Sequence, residues 1–424
     1  MRTDFSVASL ADPDMATSES VIRKCVHCGF CLSTCPTYAL LGDERDSPRG
    51  RIYMIKTMLE EEAPPTPEIV THIDRCLSCL SCMTTCPSGV DYRRLIDHAR
   101  VHTERTYRRP LPDRLVRALL AAVIPHPRRF RLALMLARAG RPFARLFSGW
   151  PAMKAMLDLA PSKMAPRASA TAVEGNGRGR VAILQGCAEP VLRPEIRAAT
   201  VRLLGRIGYD AVFVPGEGCC GALVHHIGRE EESLAAARRN VDAWCAEIDR
   251  RGLAAIITTA AGCGSMIKDY GTLLRHDPAY AERAARVSAL AMDVSELLTP
   301  EDVAGAPRDM TIAYQSACSL RHGQRIVSAP VMLLRAAGFT VREPAEPHIC
   351  CGSAGVYNIT QPRLSAQLRD RKLGHLARLE ADVIATGNIG CATQLASGAA
   401  VPVVHVVELL DWATGGPVPA RLSH

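Results

Sequence analysis

Aromatic residues are scarce in this 424-residue chain, and long apolar runs are missing. Phenylalanine, tyrosine and tryptophan make up only 4% of the sequence, and no nucleic-acid-binding motif accompanies the basic residues. The apolar stretch 118–124 has seven residues before Pro125, far fewer than a bilayer-spanning helix needs. We therefore expect a protein that binds no nucleic acid and does not span a membrane.

Signals of secretion and of independent catalysis are also missing. The first twenty residues contain no basic segment followed by an apolar core, so we expect no secretory signal. The 17 cysteines are an odd number, which argues against a disulfide framework and for the reducing cytoplasm. No flavin or nicotinamide site, serine–histidine–aspartate arrangement or carboxylate pair can be recognised. The sequence predicts no catalytic residues and no complete active site in this chain.

Cysteine is abundant, and it is concentrated first in two identical runs near the N-terminus. Each run reads Cys-x-x-Cys-x-x-Cys-x-x-x-Cys-Pro, the spacing of two-cluster ferredoxins, in which the fourth cysteine ligates the other cluster. Structural zinc is the alternative, but zinc usually takes two Cys-x-x-Cys pairs. The runs predict two [4Fe–4S] clusters with exchanged ligands, namely Cys25, Cys28, Cys31 and Cys86 for cluster 1 and Cys76, Cys79, Cys82 and Cys35 for cluster 2.

Composition and hydrophobic pattern divide the chain into six segments. Short apolar strands alternate with amphipathic helices in the C-terminal half, which favours sheets covered by helices. The predicted fold is an α-helical ferredoxin domain followed by two repeated α/β cysteine-rich modules. The expected segments are a flexible N-terminus (1–20), the two-cluster ferredoxin domain (21–100), a basic helical connector (101–160), a linker (161–180), a first module (181–305) and a second module (306–424).

The two C-terminal modules repeat the same cysteine pattern. Cys187, Cys219 and Cys263 recur at offsets of 131, 131 and 128 residues, and each copy contains Cys-Cys-Gly. Recurrence in register favours a metal site, a further cluster or redox-active thiols, whereas isolated cysteines such as Cys245 are ordinarily buried core residues. The candidate thiols are Cys187, Cys219, Cys220 and Cys263 in the first module and Cys318, Cys350, Cys351 and Cys391 in the second.

Two other patterns carry less weight. Residues 216–221 follow a predicted strand and satisfy the GxGxxG pattern. Two cysteines occupy its variable positions, however, and the corresponding segment of the second module lacks the first two glycines. A dinucleotide site is therefore not favoured. Between Arg100 and Arg145, twelve arginines stand against two acidic residues, a net charge of +10. A basic amphipathic segment of this kind favours contact with an acidic partner or a membrane surface, or is simply a solvated face.

The order of these motifs resembles a known group of iron–sulfur proteins. It comprises glycolate oxidase iron–sulfur subunits, the C subunit of anaerobic glycerol-3-phosphate dehydrogenase, lactate-utilisation proteins and heterodisulfide reductase subunits. Met266 and Gln394 stand where the fuller repeat has another cysteine, which leaves four thiols per module. The phrases most similar to the glycolate oxidase subunit are CVHCGFCLSTCPTY (25–38), SPRGRIY (47–53), CCGSAGVYN (350–358), LRDRKL (368–373) and ADVIATGNIGC (381–391).

The resemblance implies an electron-transfer subunit whose flavin lies elsewhere. In that family an FAD-binding oxidase subunit oxidises glycolate to glyoxylate, and the iron–sulfur subunit passes the electrons to an acceptor such as quinone. We therefore expect two [4Fe–4S] clusters, a further metal or cluster in the modules, an FAD-binding partner, and a cytoplasmic location at the inner face of the membrane. The alternatives are an equivalent subunit for glycerol 3-phosphate or lactate, or a heterodisulfide-reductase-like thiol–disulfide reductase.

Overall fold

The N-terminal domain is a small bundle of short helices. The computed structural model describes residues 1–147, 149–167, 171–175 and 177–422. Prolines occupy the first helical position of four of the helices, where their missing N–H costs nothing. The helices are α1 (Pro13–Lys24), α2 (Pro36–Leu41), α3 (Pro48–Glu60), α4 (Pro67–Asp74), α5 (Ser81–Thr85) and α6 (Tyr92–Thr106), with 3-10 turns at Ser9–Ala11 and Glu44–Asp46.

The segment expected to be a flexible N-terminus is largely helical, so that expectation is wrong for residues 13–20. Asp12 caps α1 by accepting from the backbone N–H groups of Asp14 and Met15, which stabilises the first helical turn. The Met1 ammonium donates to the carbonyl oxygens of Arg23 and Cys25, at 3.0 and 2.8 Å. The chain start is therefore attached to the domain beside its first cysteine.

The connector that follows is helical, and it leads into the predicted linker. Val173 of the linker forms an antiparallel bridge with Ala211, and the Gly175 N–H donates to Asp210 at 2.6 Å. Residues 168–170 and 176 of the predicted linker lie outside the described residues. The connector contains α7 (Leu111–Val123), α8 (Pro127–Gly140), a 3-10 segment (Arg141–Phe147) and α9 (Pro151–Asp158).

Each C-terminal module is built on a four-stranded parallel sheet, which confirms the predicted α/β repeat. The strand order is β2-β1-β3-β4 in the first module and β6-β5-β7-β8 in the second. All the strand pairs are parallel, and the equivalent pairs have equivalent registers. The strands are β1 (Arg180–Ile183), β2 (Asp210–Val212), β3 (Ala255–Thr258), β4 (Ala291–Asp293), β5 (Thr311–Tyr314), β6 (Thr340–Arg342), β7 (Val383–Thr386) and β8 (Val403–His405).

Helices cover both faces of these sheets. A 3-10 turn at Glu301–Val303 and a π-helical turn at Ser319–Gly323 complete the modules. The helices are α10 (Glu189–Leu192), α11 (Pro194–Arg206), α12 (Ala222–His226), α13 (Glu230–Arg251), α14 (Ala261–Ile267), α15 (Tyr270–Leu273), α16 (Ala281–Leu290), α17 (Val294–Leu297), α18 (Ala329–Ala336), α19 (Tyr357–Thr360), α20 (Pro362–Ala377), α21 (Ile389–Ala396) and α22 (Val406–Ala413).

The two modules pack against each other through one shared hydrophobic core. Residues from both sheets, such as Ile257 and Ile312, belong to the same buried cluster, and α11 packs on α22. The ferredoxin domain lies against both modules. Arg94 pairs with Asp269 of the first, and the Thr84 hydroxyl lies 2.8 Å from His322 of the second.

Candidate iron–sulfur centres

The two cysteine runs form loops whose backbones are alike. In the first loop His27 and Gly29 have φ of +54° and +85°, and in the second Ser78 and Leu80 have φ of +49° and +62°. These positions match in the two runs, and a left-handed residue at each of them curls the chain sharply. The two runs therefore form the same kind of loop, which lets thiols three residues apart face one centre.

The fourth cysteine of each run lies outside its own loop. Cys35 is the residue before α2, with Pro36 at the first helical position. Cys86 follows α5 and precedes Pro87. Each of these cysteines is thus carried away from its run by a change of secondary structure, as the Cys-Pro step predicts.

The eight thiols surround two neighbouring cavities. Each cavity takes three cysteines from one run and the fourth from the other, so the structure brings together the thiols of each predicted set. Cys82, Pro48 and Tyr92 line both cavities and form the wall between them. The first cavity is lined by Cys25, Cys28, Cys31 and Cys86, and the second by Cys35, Cys76, Cys79 and Cys82.

The spacing of the thiols fits an iron–sulfur cluster better than a single metal ion. Four sulfurs around one zinc ion lie about 3.8 Å apart, because the Zn–S distance is about 2.3 Å. Among the described residues, the one group of three metal-ligating atoms within 4.8 Å of one another is Asp43, Asp46 and His72. Asp46 of that group is already paired with Arg51 and Arg75. No three sulfurs of the described cysteines therefore lie as close together as the ligands of a zinc ion.

Because these thiols are buried, they lose their protons readily only when a positive charge binds the sulfur. Burial, reinforced by neighbouring thiols, raises the pKa of Cys79 and Cys82 well above the ordinary range of a thiol. Burial likewise raises the pKa of Cys31 to about 11. A coordinated metal supplies the positive charge that removes these protons. The site is thus built for thiolates that exist only together with bound metal.

The repeated cysteines of each module also come together, at the carboxyl ends of parallel strands. In the first module Cys187 follows β1, the Cys219–Cys220 pair follows β2, and Cys263 follows β3 on α14. Interaction with Cys219 raises the pKa of Cys187, and interaction with Cys219 and Cys263 raises the pKa of Cys220, so these thiols lie close together. Parallel strands end at the same edge of a sheet, so cysteines distant in sequence meet there.

The second module assembles its four thiols in the same way. The Sγ atoms of Cys318 and Cys350 are 3.7 Å apart. Interaction with neighbouring thiols, Cys391 among them, and burial hold the pKa of Cys351 well above its ordinary value. Asn388 donates to the sulfur of Cys391 at 3.4 Å. Both modules therefore present four clustered thiols.

A glycine after each cysteine pair allows both thiols to turn inward. Gly221 and Gly352 have φ of +86° and +88°. A Cβ on Gly352 would lie 2.5 Å from the Ser365 carbonyl oxygen, and one on Gly221 would lie 3.1 Å from that of Ser233. Only glycine fits this left-handed turn against a neighbouring helix. The glycine of Cys-Cys-Gly thus allows the turn that brings both cysteine side chains to the same site.

The positions that lack the fuller repeat's last cysteine are filled by residues with other roles. Met266 packs in the core of the first module. Gln394 donates to the Ser365 hydroxyl at 2.8 Å and accepts from Asn358 at 3.2 Å. Neither side chain replaces a thiolate. Cys245 is 3% exposed in the same core as Met266, which confirms that it is a packing residue.

Several residues that contact the cluster loops could not be recognised from their spacing. Arg100 is buried and donates to Ser78 and to the Cys76 carbonyl oxygen, at 2.5 and 2.6 Å. Arg51 lies beside Cys35, within the phrase SPRGRIY. No regular pattern links these arginines to the cysteine runs, and a long-range fold alone brings them together.

Fold and site together define a two-cluster iron–sulfur protein with a pair of cysteine-rich domains. The family described as "4Fe-4S dicluster domain" matches residues 24–90, and the family described as "Cysteine-rich domain" matches residues 181–268 and 312–396. The chain therefore carries two [4Fe–4S] clusters. A crystal structure of a hypothetical protein from Helicobacter pylori has a similar fold, with a TM-score of 0.57 and 12% identity over 97% of this chain and 74% of that one.

Curated relatives place the chain more narrowly. It is 42% identical to the "Glycolate oxidase iron-sulfur subunit" of Escherichia coli, over 97% of this chain and 99% of that protein. It is 33% identical to a "Probable glycolate oxidase iron-sulfur subunit" of Bacillus subtilis, over 94% and 95%. "Lactate utilization protein A" of Bacillus licheniformis is 26% identical over 55% of this chain and 99% of its own length. This chain belongs to the family of glycolate oxidase iron–sulfur subunits.

Proposed function

We propose that this chain carries electrons, one at a time, from the flavin of a partner subunit to an acceptor during the oxidation of glycolate to glyoxylate. The observation that carries this proposal is the pair of cysteine-lined cavities with Cys82 and Tyr92 as their shared wall. Bound [4Fe–4S] clusters accept and release single electrons. Residues of this chain would hold two such centres side by side, and the substrate chemistry would belong to the partner.

The surface around the first cavity suits contact with that FAD-binding partner. Cys28 is exposed, and the flanking Val26 and Phe30 are 67% and 62% exposed. Cys76, Cys79 and Cys82, in contrast, are buried. Electrons would therefore enter at the first cavity, where a partner can approach most closely.

Glycolate is the substrate we favour for the complex. The relatives named for glycolate oxidase cover nearly the whole chain, whereas the named lactate protein covers 55% of it at 26% identity. The clustered thiols of the two modules would hold a further metal or cluster in each. We place the protein in the cytoplasm, because thiolates that bind iron need a reducing compartment.

Purification of the isolated chain without oxygen tests whether it transfers electrons while the partner subunit oxidises glycolate. The isolated chain should show the broad visible absorbance of [4Fe–4S] centres and should not oxidise glycolate. A Cys219→Ser/Cys350→Ser variant should retain about eight irons, and the unchanged chain should contain more. Glycolate turnover by the isolated chain would contradict the proposed role. An equal metal content in both proteins would show that the module thiols hold no metal.

The acceptor we propose is a quinone, reached from the surface of an anionic membrane. No helix among the described residues is long and apolar enough to cross a bilayer. On α7, α8 and the 3-10 segment after them, however, a row of apolar side chains is exposed. It comprises Leu111, Leu115, Leu119, Leu132, Met135, Leu136, Phe143 and Leu146. We call these eight residues and the arginines between them the basic apolar face.

The arginines of this face differ from the other arginines of the connector. Arg109 and Arg117 are buried in ion pairs with Asp74, and Arg105 pairs with Glu230. From residue 114 to residue 150 the sequence has no acidic residue. Within that stretch, the exposed arginines that form no ion pair among the described residues are Arg114, Arg128, Arg129, Arg138, Arg141 and Arg145. Free guanidinium groups beside exposed leucines suit anionic headgroups over an apolar layer.

Vesicle sedimentation tests the basic apolar face. The chain should bind vesicles containing phosphatidylglycerol and should not bind pure phosphatidylcholine. Replacing Arg114, Arg128 and Arg138 by serine should weaken binding about a hundredfold, because each charge contributes about 1 kcal/mol. Met332→Glu is the matched control, since Met332 is 49% exposed on the second module. Equal binding by the triple variant would exclude this face as the contact.

A further inference from the structure

The second cysteine cavity has two buried side chains that donate to its sulfurs. Arg51 is 1% exposed, and its Nη1 lies 3.9 Å from the Cys35 sulfur. The Tyr92 hydroxyl donates to the Cys76 sulfur at 3.8 Å. Hydrogen bonds to the sulfurs of an iron–sulfur centre favour its reduced state, because that state carries more negative charge.

The charge balance around the two cavities also differs. Beside the second cavity, the single carboxylate of Asp46 accepts from Arg51 at 3.3 Å and from Arg75 at 2.8 Å. His72 also contacts this carboxylate, at 2.9 Å. Arg51 and Asp46 are both buried there, so their charges are little screened by water, whereas the Arg75 side chain is 31% exposed.

The charged side chain that lines the first cavity is Arg49. Arg49, which lines that cavity, pairs with Glu44 at 2.5 Å. Arg49 is also 25% exposed at its side chain, so water screens its charge. Because Arg51 is buried and lies against a sulfur of the second cavity, the protein stabilises added negative charge more strongly there than at the first cavity.

The second cavity is also the one that adjoins a cysteine-rich module. Leu77 and Cys79 share a buried cluster with Ile349 and Cys350 of the second module, and Cys318 packs against it. The Tyr357 hydroxyl of that module donates to the Arg75 carbonyl oxygen at 3.0 Å. Thiols of the second module thus lie directly behind the second cavity.

The first module's thiols have different surroundings. Cys220 packs with Trp244 and Tyr270 in the core of its own module. The Tyr270 hydroxyl donates to the Cys220 carbonyl oxygen at 2.8 Å. Asn240 donates to the Cys219 carbonyl oxygen at 3.1 Å. The two modules, although similar in sequence and fold, are therefore placed differently with respect to the ferredoxin domain.

We propose that the centre held by Cys35, Cys76, Cys79 and Cys82 has the higher reduction potential of the two ferredoxin centres and passes its electrons to the metal centre proposed above for the thiols of the second cysteine-rich module, which is reduced as the ferredoxin centre is oxidised. The proposal rests on the electron-transfer role proposed above. One electron moves at a time, from the exposed first centre to the second, with no bond made or broken. Arg51 and Tyr92 act as positioning residues, since they set the surroundings of the sulfurs.

Redox titration of the full chain, followed by electron paramagnetic resonance, tests the order of potentials. The Cys35 centre should be reduced first, and Tyr92→Phe should shift its potential downward. The signal of the Cys25 centre should shift less. Arg51→Gln should lower the potential of the Cys35 centre further. If Arg51→Gln does not fold, Tyr92→Phe alone tests the proposal. Tyr53→Phe is the control, since Tyr53 is 59% exposed. A Cys25 centre that is reduced first would overturn the proposal.

Freeze-quench kinetics with the reduced partner flavin test the exit route. In Cys350→Ser, the reduced signal of the Cys35 centre should persist longer than in the unchanged chain. In Cys219→Ser its lifetime should be unchanged. Equal lifetimes in all three proteins would overturn the assigned route. If neither ferredoxin centre is reduced by the flavin, the proposed function itself fails, and the two failures are thus distinguishable.

Discussion

Cys86→Ser should disrupt cluster 1 and leave cluster 2 intact, although Cys86 belongs to the second cysteine run. The reason is that Cys86 lines the cavity of Cys25, Cys28 and Cys31. Cys35→Ser should do the reverse, because Cys35 lines the cavity of the second run. Each variant should lose one of the two resonance signals. Each should also reduce glycolate-dependent electron flow in the assembled complex by orders of magnitude, since a missing centre interrupts the path.

The control for this prediction is a cysteine that lies in neither cavity. Cys245→Ser changes a buried thiol in the core of the first module and should leave both signals intact. Iron content and resonance spectra of the three variants, purified without oxygen, measure the result. If Cys86→Ser abolishes the same signal as Cys76→Ser, the fourth ligands are not exchanged between the runs.

Arg193→Met should lower the free energy of unfolding of the joined modules by about 3–5 kcal/mol at pH 8. Arg193 pairs with Glu408 at 2.8 Å across the interface between the modules, and both side chains are less than 5% exposed. Glu408 also accepts from the His405 N–H at 2.9 Å at the start of α22. Without the guanidinium, a buried carboxylate would lack its ionic partner.

The loss of stability caused by Arg193→Met should be larger at high pH than at low pH. Burial, opposed by Arg193, raises the pKa of Glu408 above its ordinary value, and loss of Arg193 raises it further. A carboxyl group with a raised folded-state pKa costs little while it is protonated, and its cost grows as pH rises from the unfolded pKa to the folded one. Arg193→Met should therefore be less destabilised at pH 5 than at pH 8.

Denaturant unfolding under anaerobic conditions measures this effect, with two comparison variants. Arg193→Met/Glu408→Leu should recover much of the loss and lose the added pH dependence, because no unpaired charge stays buried. Arg286→Met removes an exposed pair with Asp249 and should cost less than about 1 kcal/mol. If the single and double variants at residue 193 are equally unstable at both pH values, the unpaired carboxylate is not the cause.

Much of the cluster site could be read from the sequence because its ligands follow a local rule. Three thiols at three-residue spacing come from one loop, and the Cys-Pro step carries the fourth away. The repeated modules could be recognised for a related reason, since cysteines after successive parallel strands meet at one sheet edge. The expectation of a flexible segment was wrong for residues 13–20, where Asp12 caps a helix.

The connector shows where composition stops being informative. Its excess of arginine was evident, but the roles of individual arginines were not. Arg109 and Arg117 are internal because Asp74, distant in sequence, pairs with both. Arg114 and Arg138 have no such partner among the described residues and are exposed. Only tertiary contacts separate structural arginines from those available to a membrane.

The sequence by itself determined the type of cluster and the duplicated cysteine modules, and it predicted the cluster ligands, because each depends on short spacings or strand order. The tertiary structure alone decided how the centres differ. It placed Arg51 and Tyr92 beside one cavity, Cys79 beside the second module and Arg193 against Glu408. These contacts join residues far apart in the chain. Their energies arise from burial and charge, which no local pattern encodes.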